Sequence, residues 1–176
     1  MIVARLMPVA FLLLILGVLG NGCGRDNDGA VTNAGEVNVF RQGERLFQRY
    51  CQHCHQSHGQ GMAGTFPPLA TSTLLHGDPW KPIAIVLLGL QGPIERDGIA
   101  YNGVMPGLAE RMSDAEIAAV LSHVRKRWGE IEEPVSSELV SQVREELGGR
   151  RALWTESELL HAYRSLAARR TWVITN

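Results

Sequence analysis

Two cysteines and a histidine stand at a spacing that can hold a metal-containing cofactor covalently. Cys51 and Cys54 are separated by two residues, and His55 follows directly. Cys-x-x-Cys-His is the spacing at which a c-type haem is attached. On a helical turn, residues three and four apart share one face, so both thiols and the imidazole can reach one porphyrin. The motif therefore predicts one covalent haem c, joined through Cys51 and Cys54, with His55 as an iron ligand.

Two other kinds of site also use a Cys-x-x-Cys pair. A structural zinc site has four protein ligands, usually with a second Cys or His pair elsewhere. The sequence has no second pair of this kind, and His53 with His58 could complete only a cramped local site. A thioredoxin-like redox motif is expected beside a βαβ pattern, which does not surround these residues. Haem attachment is therefore favoured over a zinc site or a dithiol redox site.

With His55 as one iron ligand, a second protein ligand must come from farther along the chain. Met105 lies between glycine- and proline-rich turns, from which a side chain can point inward. Met62 is so close to His55 in the chain that reaching the opposite haem face is difficult. Met112 adjoins a helix start and is the second choice, while His76 is the best of the remaining histidines. Met105 is accordingly the predicted ligand, although most methionines are core filler.

The stretch after the motif is rich in glycine and proline. Three glycines between residues 59 and 64 allow tight turns, and residues 66–69, Phe-Pro-Pro-Leu, supply rigid apolar backbone. A histidine that binds iron holds its second ring nitrogen against a hydrogen-bond acceptor, which fixes the tautomer. We expect this loop to wrap the haem edge beside His55, with the carbonyl of Pro67 as that acceptor. The alternative is that the prolines only end the loop.

The N-terminus indicates where the chain works. Arg5 is followed by an apolar run over residues 9–19, which has the length of a signal peptide and is shorter than the ~20 residues of a membrane span. Residues 1–22 are therefore predicted to be an export signal. Small residues precede Cys23, as at a bacterial lipoprotein processing site, so we expect a lipid on Cys23 at the periplasmic side of a bacterial membrane. The alternatives are ordinary cleavage, which gives a periplasmic protein, and a retained short anchor.

Composition and the spacing of apolar residues together divide the rest of the chain into three parts. Residues 23–36 are rich in Asn, Asp, Gly and Thr, which is typical of a flexible tether, so folded structure is expected to begin near Val37. Residues 37–129 form the predicted haem domain. Residues 130–176 form a C-terminal extension that can pack on this domain or hold a partner, and packing is the favoured interpretation.

Apolar residues at helical spacing place the helices. One amphipathic helix leads into the haem motif, and Gly43 within it suggests a close helix crossing, since glycine in a helix costs about 1 kcal/mol relative to alanine. A capping box at residues 113–116 opens a second helix, which ends near Gly129 and would cross the first. A short helix over residues 83–88 would cover the haem or simply pack in the core. The extension contributes helices over 136–147 and 155–168.

The haem motif, the proline turn at residues 67–69, the Met105 loop and the closing helix together resemble a class I monohaem cytochrome c. The resemblance covers residues 37–129 and is most specific at the haem motif. It implies an all-α fold in which compact helices surround one covalent haem c. It also implies electron carriage, with redox partners such as a periplasmic dehydrogenase, a nitrite reductase or a terminal oxidase.

Charge and motif content exclude several other functions. The net charge is -1, so no broad basic face for nucleic acid is indicated. The sequence contains no second haem motif, no Gly-rich phosphate loop and no nucleophile-base arrangement. We therefore expect an electron carrier rather than an enzyme, held at a membrane by a lipid. The alternatives are a haem-binding subunit of a larger oxidoreductase and a gas- or peroxide-reactive haem protein with a labile distal ligand.

Overall fold

The computed structural model describes residues 30–175, so the expected export signal, Cys23 and the first part of the expected tether lie outside the described residues. The helices in this range are α1 (Ala30–Tyr50), α2 (Gln52–His55), α3 (Trp80–Leu88), α4 (Asp114–Gly129), α5 (Ser137–Glu146) and α6 (Glu156–Thr175). The strands are β1 (Gly89–Gln91), β2 (Ile94–Arg96), β3 (Ile99–Tyr101) and β4 (Val104–Pro106), and Thr73–Leu75 forms a 3₁₀ turn.

Helices α1 and α4 cross at close range. An ideal Cβ built on Gly43 would lie 2.1 Å from the carbonyl oxygen of Ala119, so a side chain at this position would collide with the α4 backbone. One turn later, the ring of Phe47 packs against His123 and Trp128, with centroid distances of 5.8 and 5.1 Å. The predicted crossing of these two helices at Gly43 is confirmed.

Helix α4 begins at the predicted capping box and holds a neighbouring segment. The backbone N–H of Glu116 donates to Ser113 Oγ at 3.3 Å, and the Glu116 carboxylate accepts from the Ser113 N–H at 2.9 Å. Farther along, the buried guanidinium of Arg125 donates to the carbonyl oxygens of Leu75 and Gly77 at 3.2 and 2.6 Å. These two bonds attach the 3₁₀ turn to α4.

Helix α1 starts earlier than the sequence predicted. It begins at Ala30 rather than near Val37, so residues 30–36, which were expected in the flexible tether, are helical. Asn, Thr and Gly are weak helix formers. However, extending a helix that is already nucleated adds one hydrogen bond for each residue fixed, whereas nucleation is the costly step. The structure therefore differs from the tether prediction over these residues.

Four short strands correct the all-α prediction. β1 pairs with β4 and β2 pairs with β3, in two antiparallel two-stranded ladders between α3 and α4. Asp97 and Gly98 connect β2 to β3 with φ angles of 53° and 74°, and two residues with positive φ are what a two-residue type I′ hairpin requires. The fold is therefore mainly helical with two small ladders.

The C-terminal extension packs on the same core as the rest of the described chain. Val143 of α5 and Leu159 of α6 are buried, and the N–H of Val135 donates to the buried hydroxyl of Ser122 in α4 at 2.9 Å. The predicted packing and both predicted helices are confirmed, although α6 continues to Thr175. Within residues 30–175, no helix is both long and apolar enough to cross a membrane.

Candidate haem-binding site

The end of α1 and the short α2 present the cysteine-histidine motif as a helical turn. The N–H of Cys51 donates to the Phe47 carbonyl at 2.9 Å, and the N–H of His55 donates to the Cys51 carbonyl at the same distance. Helix α2 ends at His55, and the φ of 60° at the following residue, Gln56, turns the chain away. Cys51, Cys54 and His55 are all partly buried. The predicted helical turn is confirmed, and it places both thiols for attachment to one haem.

The environment of the first thiol disfavours a negative charge. Burial, and secondarily the charge of neighbouring Cys54, raises the pKa of the Cys51 thiol to about 12. A thiolate is therefore unfavourable at this position. An uncharged sulfur, such as the thioether of an attached haem, suits it better.

The loop after α2 folds back over the ring of His55. His55 Nδ1 lies 3.1 Å from the carbonyl oxygen of Pro67, and the N–H of Gly61 donates to the His55 carbonyl at 3.0 Å. Gly61 has a φ of 63°, and a Cβ there would lie 2.3 Å from the carbonyl oxygen of Phe66. Burial lowers the pKa of His55, and the hydrogen bond to Pro67 offsets part of this effect. A neutral ring that donates from Nδ1 keeps the lone pair of Nε2 free for a metal.

Two adjoining clefts open beside this turn. They enclose about 800 and 770 Å³ of empty space, open solvent at the mouths included. Both clefts are lined mostly by apolar side chains. Apart from the cysteine-histidine motif, Arg96 is the one acidic or basic side chain among the described residues that line them. The residues that line both clefts are Cys51, His55, Pro67, Leu90, Ile94 and Met105.

These features fit a haem. A porphyrin needs apolar walls, thiols at its edge and a nitrogen ligand with a fixed tautomer, and the clefts offer all three. Cys51 and Cys54 would form the two thioethers, and His55 would face the iron. Helix α3 adds Ile85 and Val86 to one wall, so part of the predicted short helix covers the site while the rest of it packs in the core.

Met105 reaches the clefts from a strand. It is the central residue of β4 and pairs with Leu90 of β1, whereas the sequence predicted a loop here. Met62 is 50% exposed, Met112 is buried in the core, His76 is exposed, and none of these three lines either cleft. Of the second-ligand candidates taken from the sequence, the structure brings only Met105 to the same clefts as His55.

Sequence reasoning missed one wall of the site. Leu90, Ile94 and Tyr101 lie on β1, β2 and β3 and line the clefts, but none of them was expected there. The Asp97-Gly98 pair is a typical two-residue hairpin turn, which could have indicated β2 and β3 but not β1. Among residues 30–175, no group of three or more His, Cys, Asp or Glu side chains is arranged to hold a metal ion by itself.

Comparison with known proteins identifies the family. The cytochrome c family model matches residues 40–128. The chain is 42% identical over 103 residues to cytochrome c-552 of Thermus thermophilus, a match that covers 53% of this chain and 78% of the relative.

More distant similarity links the chain to dehydrogenase subunits. It is 33% identical over 112 residues to the cytochrome c subunit of the quinone alcohol dehydrogenase of Gluconobacter oxydans, covering 62% of this chain and 23% of that subunit. It is 28% identical over 130 residues to the fructose dehydrogenase cytochrome subunit of Gluconobacter japonicus. This match covers 69% of this chain and 27% of that subunit. The chain therefore belongs to the cytochrome c family, as a class I monohaem cytochrome c that binds haem c covalently and transfers electrons.

Proposed function

We propose that this chain is a one-electron carrier whose haem iron is held by His55 and Met105. One observation carries the proposal: within the described residues, the methionine that lines the clefts of the haem motif is Met105. A histidine and a methionine that stay bound in both oxidation states leave no vacancy for a substrate. This arrangement suits electron transfer and not ligand chemistry.

The protein's own residues would set the reduction potential. The bound haem supplies the ferrous and ferric states. Pro67 holds the ring of His55 in one orientation. Strand β1 supports Met105 by pairing with β4, the strand that carries it. A methionine ligand opposite histidine raises the potential. The apolar walls act in the same direction, because a dry site disfavours the extra positive charge of the ferric state.

Carbon monoxide binding to the ferrous holoprotein tests the ligand assignment, because it requires a vacant iron position. The wild type should bind carbon monoxide poorly at neutral pH. Met105→Leu should keep its covalent haem, bind carbon monoxide readily and have a lower potential. Met112→Leu, a volume-conserving change of a buried methionine, is the matched control and should behave as the wild type. Rapid binding by the wild type that does not change in Met105→Leu would contradict the assignment.

We further propose a dehydrogenase as redox partner. The proposal is supported by the relatives that are named as cytochrome subunits of dehydrogenases, although this chain spans about a quarter of their length. The chain would act either as a separate carrier or as the haem subunit of a larger oxidoreductase. Purification from membranes under mild detergent distinguishes the two, because a stable subunit elutes with the dehydrogenase and a carrier elutes alone. Failure of the reduced dehydrogenase to reduce this cytochrome would contradict both.

The proposed location is the periplasmic side of a bacterial membrane, with a lipid on Cys23. It rests on the apolar run at residues 9–19 and the small residues before Cys23. Stable anchoring needs more than one acyl chain, so mass spectrometry of the mature N-terminus should find a multiply acylated Cys23. An unmodified N-terminus on a freely soluble periplasmic protein would instead indicate ordinary signal cleavage.

A further inference from the structure

The segment before α6 adds a third backbone partner to the ladder that carries Met105. Trp154 forms an isolated parallel bridge with Leu90 of β1. The N–H of Gln91 donates to the Trp154 carbonyl at 2.8 Å, and the N–H of Trp154 donates to the Gly89 carbonyl at 3.1 Å. Strand β1 therefore lies between the C-terminal extension on one edge and β4 on the other.

The side chain of Trp154 fixes this segment to a helix. It is only 4% exposed, and its indole N–H donates to the carbonyl oxygen of Ala84 in α3 at 3.1 Å. Its ring lies 6.4 Å from the ring of Trp80, and the guanidinium of Arg150 stacks over it at 4.1 Å. Aromatic, cationic and hydrogen-bonding contacts thus hold Trp154 from several directions.

The contact between β1 and β4 transmits this restraint to Met105. Leu90 pairs with Met105, and a Cβ on Gly89 would lie 2.4 Å from the Met105 carbonyl oxygen. In the described structure, β1 is the one strand that pairs with β4, and Val104 beside Met105 is 62% exposed. A two-stranded ladder of three-residue strands is marginal in water. The chain after β4 is held to α3, since the N–H of Leu108 donates to the Val86 carbonyl at 2.8 Å, and the attachment of β1 to Trp154 adds a restraint on the ladder itself.

We propose that Trp154 is a positioning residue for Met105: through β1, it holds the Met105 thioether at the haem cleft and slows its departure from the iron. The inference rests on the proposed role of Met105 as ligand. The cytochrome c family match ends at residue 128, so this restraint comes from outside the matched region. Opening of the sixth iron position requires Met105 to move, and any contact that keeps β1 still opposes that movement.

Imidazole binding to the ferric holoprotein measures the opening, because imidazole takes the position that Met105 leaves. At saturating imidazole, Trp154→Phe should bind about tenfold faster than the wild type, a change equivalent to about 1.4 kcal/mol. Val143→Ala is the matched control. Val143 is also buried but belongs to α5, which packs mainly on α3 and α4, so the variant should be less stable and still bind at the wild-type rate. A wild-type rate in Trp154→Phe, or an equal acceleration in Val143→Ala, would overturn the proposal.

A second measurement needs no variant. Hydrogen exchange of the Gln91 amide in the ferric wild type should be slowed at least about a hundredfold relative to an unprotected amide, because this N–H is bonded to Trp154. An unprotected Gln91 amide would overturn the proposal.

Met105→Leu separates this inference from the proposed function. If Met105→Leu binds imidazole no faster than the wild type, the ligand assignment fails; if it binds fast while Trp154→Phe does not, only the positioning role fails.

Discussion

Replacing Gly43 with alanine should destabilise the protein at the crossing of α1 and α4. The added Cβ would lie 2.1 Å from the carbonyl oxygen of Ala119, 2.8 Å from its carbonyl carbon and 2.7 Å from the Cβ of His123. Two of these atoms are backbone and cannot rotate away. The helices must therefore move apart, which loosens the contacts of Phe47 one turn later.

The magnitude follows from two opposing effects. Alanine is about 1 kcal/mol better than glycine inside a helix. Forcing an extra carbon into a close-packed contact typically costs about 1–3 kcal/mol and occasionally more, and a collision with backbone belongs at the upper end. We expect Gly43→Ala to lower the free energy of unfolding by about 2 kcal/mol.

Denaturant unfolding of the ferric holoprotein, followed by helix circular dichroism, measures this change. Gly35→Ala is the matched control, because Gly35 lies in the same helix and a Cβ added there would meet no described atom within 4 Å. That variant should be as stable as the wild type or up to about 1 kcal/mol more stable. If Gly43→Ala matches the wild type or exceeds it, the close helix crossing does not exist as described.

The remaining predictions concern the haem, its potential and one histidine. Replacing Cys51 and Cys54 together with serine should abolish haem staining on a denaturing gel, because both thioethers are lost. Arg96→Gln should lower the reduction potential and Glu156→Gln should raise it, each by roughly 30–60 mV in a spectroelectrochemical titration, because these paired side chains place opposite charges beside the cleft and ferric iron carries one more positive charge. Burial lowers the pKa of His123 below its ordinary value of 6.5, so the unfolded state binds more protons between the two pKa values. Stability should therefore fall as the pH drops below about 6.5, and NMR titration of the His123 ring should report the lowered pKa.

Local signals in the sequence were sufficient to locate the helices, although not the start of α1 or the end of α6, and to identify the cysteine-histidine part of the site. The Cys-x-x-Cys-His spacing, the capping box at residues 113–116 and the glycine at the helix crossing each depend on residues a few positions apart. Their structural consequences, the α2 turn, the start of α4 and the close contact at Gly43, are accordingly as predicted. The carbonyl of Pro67 also lies within hydrogen-bond distance of the His55 ring.

Apart from the Asp97-Gly98 turn between β2 and β3, the strands and their long-range pairing could not be predicted from local signals. Each strand has three residues, too few for an alternating pattern to stand out. The bridge between Leu90 and Trp154 joins segments far apart in the chain, and nothing in either segment indicates the other. Met105 could therefore be selected as a ligand candidate from its neighbouring turns, while the ladder that supports it could not be predicted.

A spectroelectrochemical titration of the wild-type holoprotein is the decisive test of an electron carrier with two fixed iron ligands, because it follows oxidation state and iron coordination together. We expect one reversible one-electron transition with a single haem. Both end states should be six-coordinate and low-spin, and the ferric state should show the charge-transfer band of a methionine sulfur bound to iron. A high-spin or five-coordinate end state, or a ferric spectrum without that band, would show that His55 and Met105 do not hold the iron throughout the redox cycle.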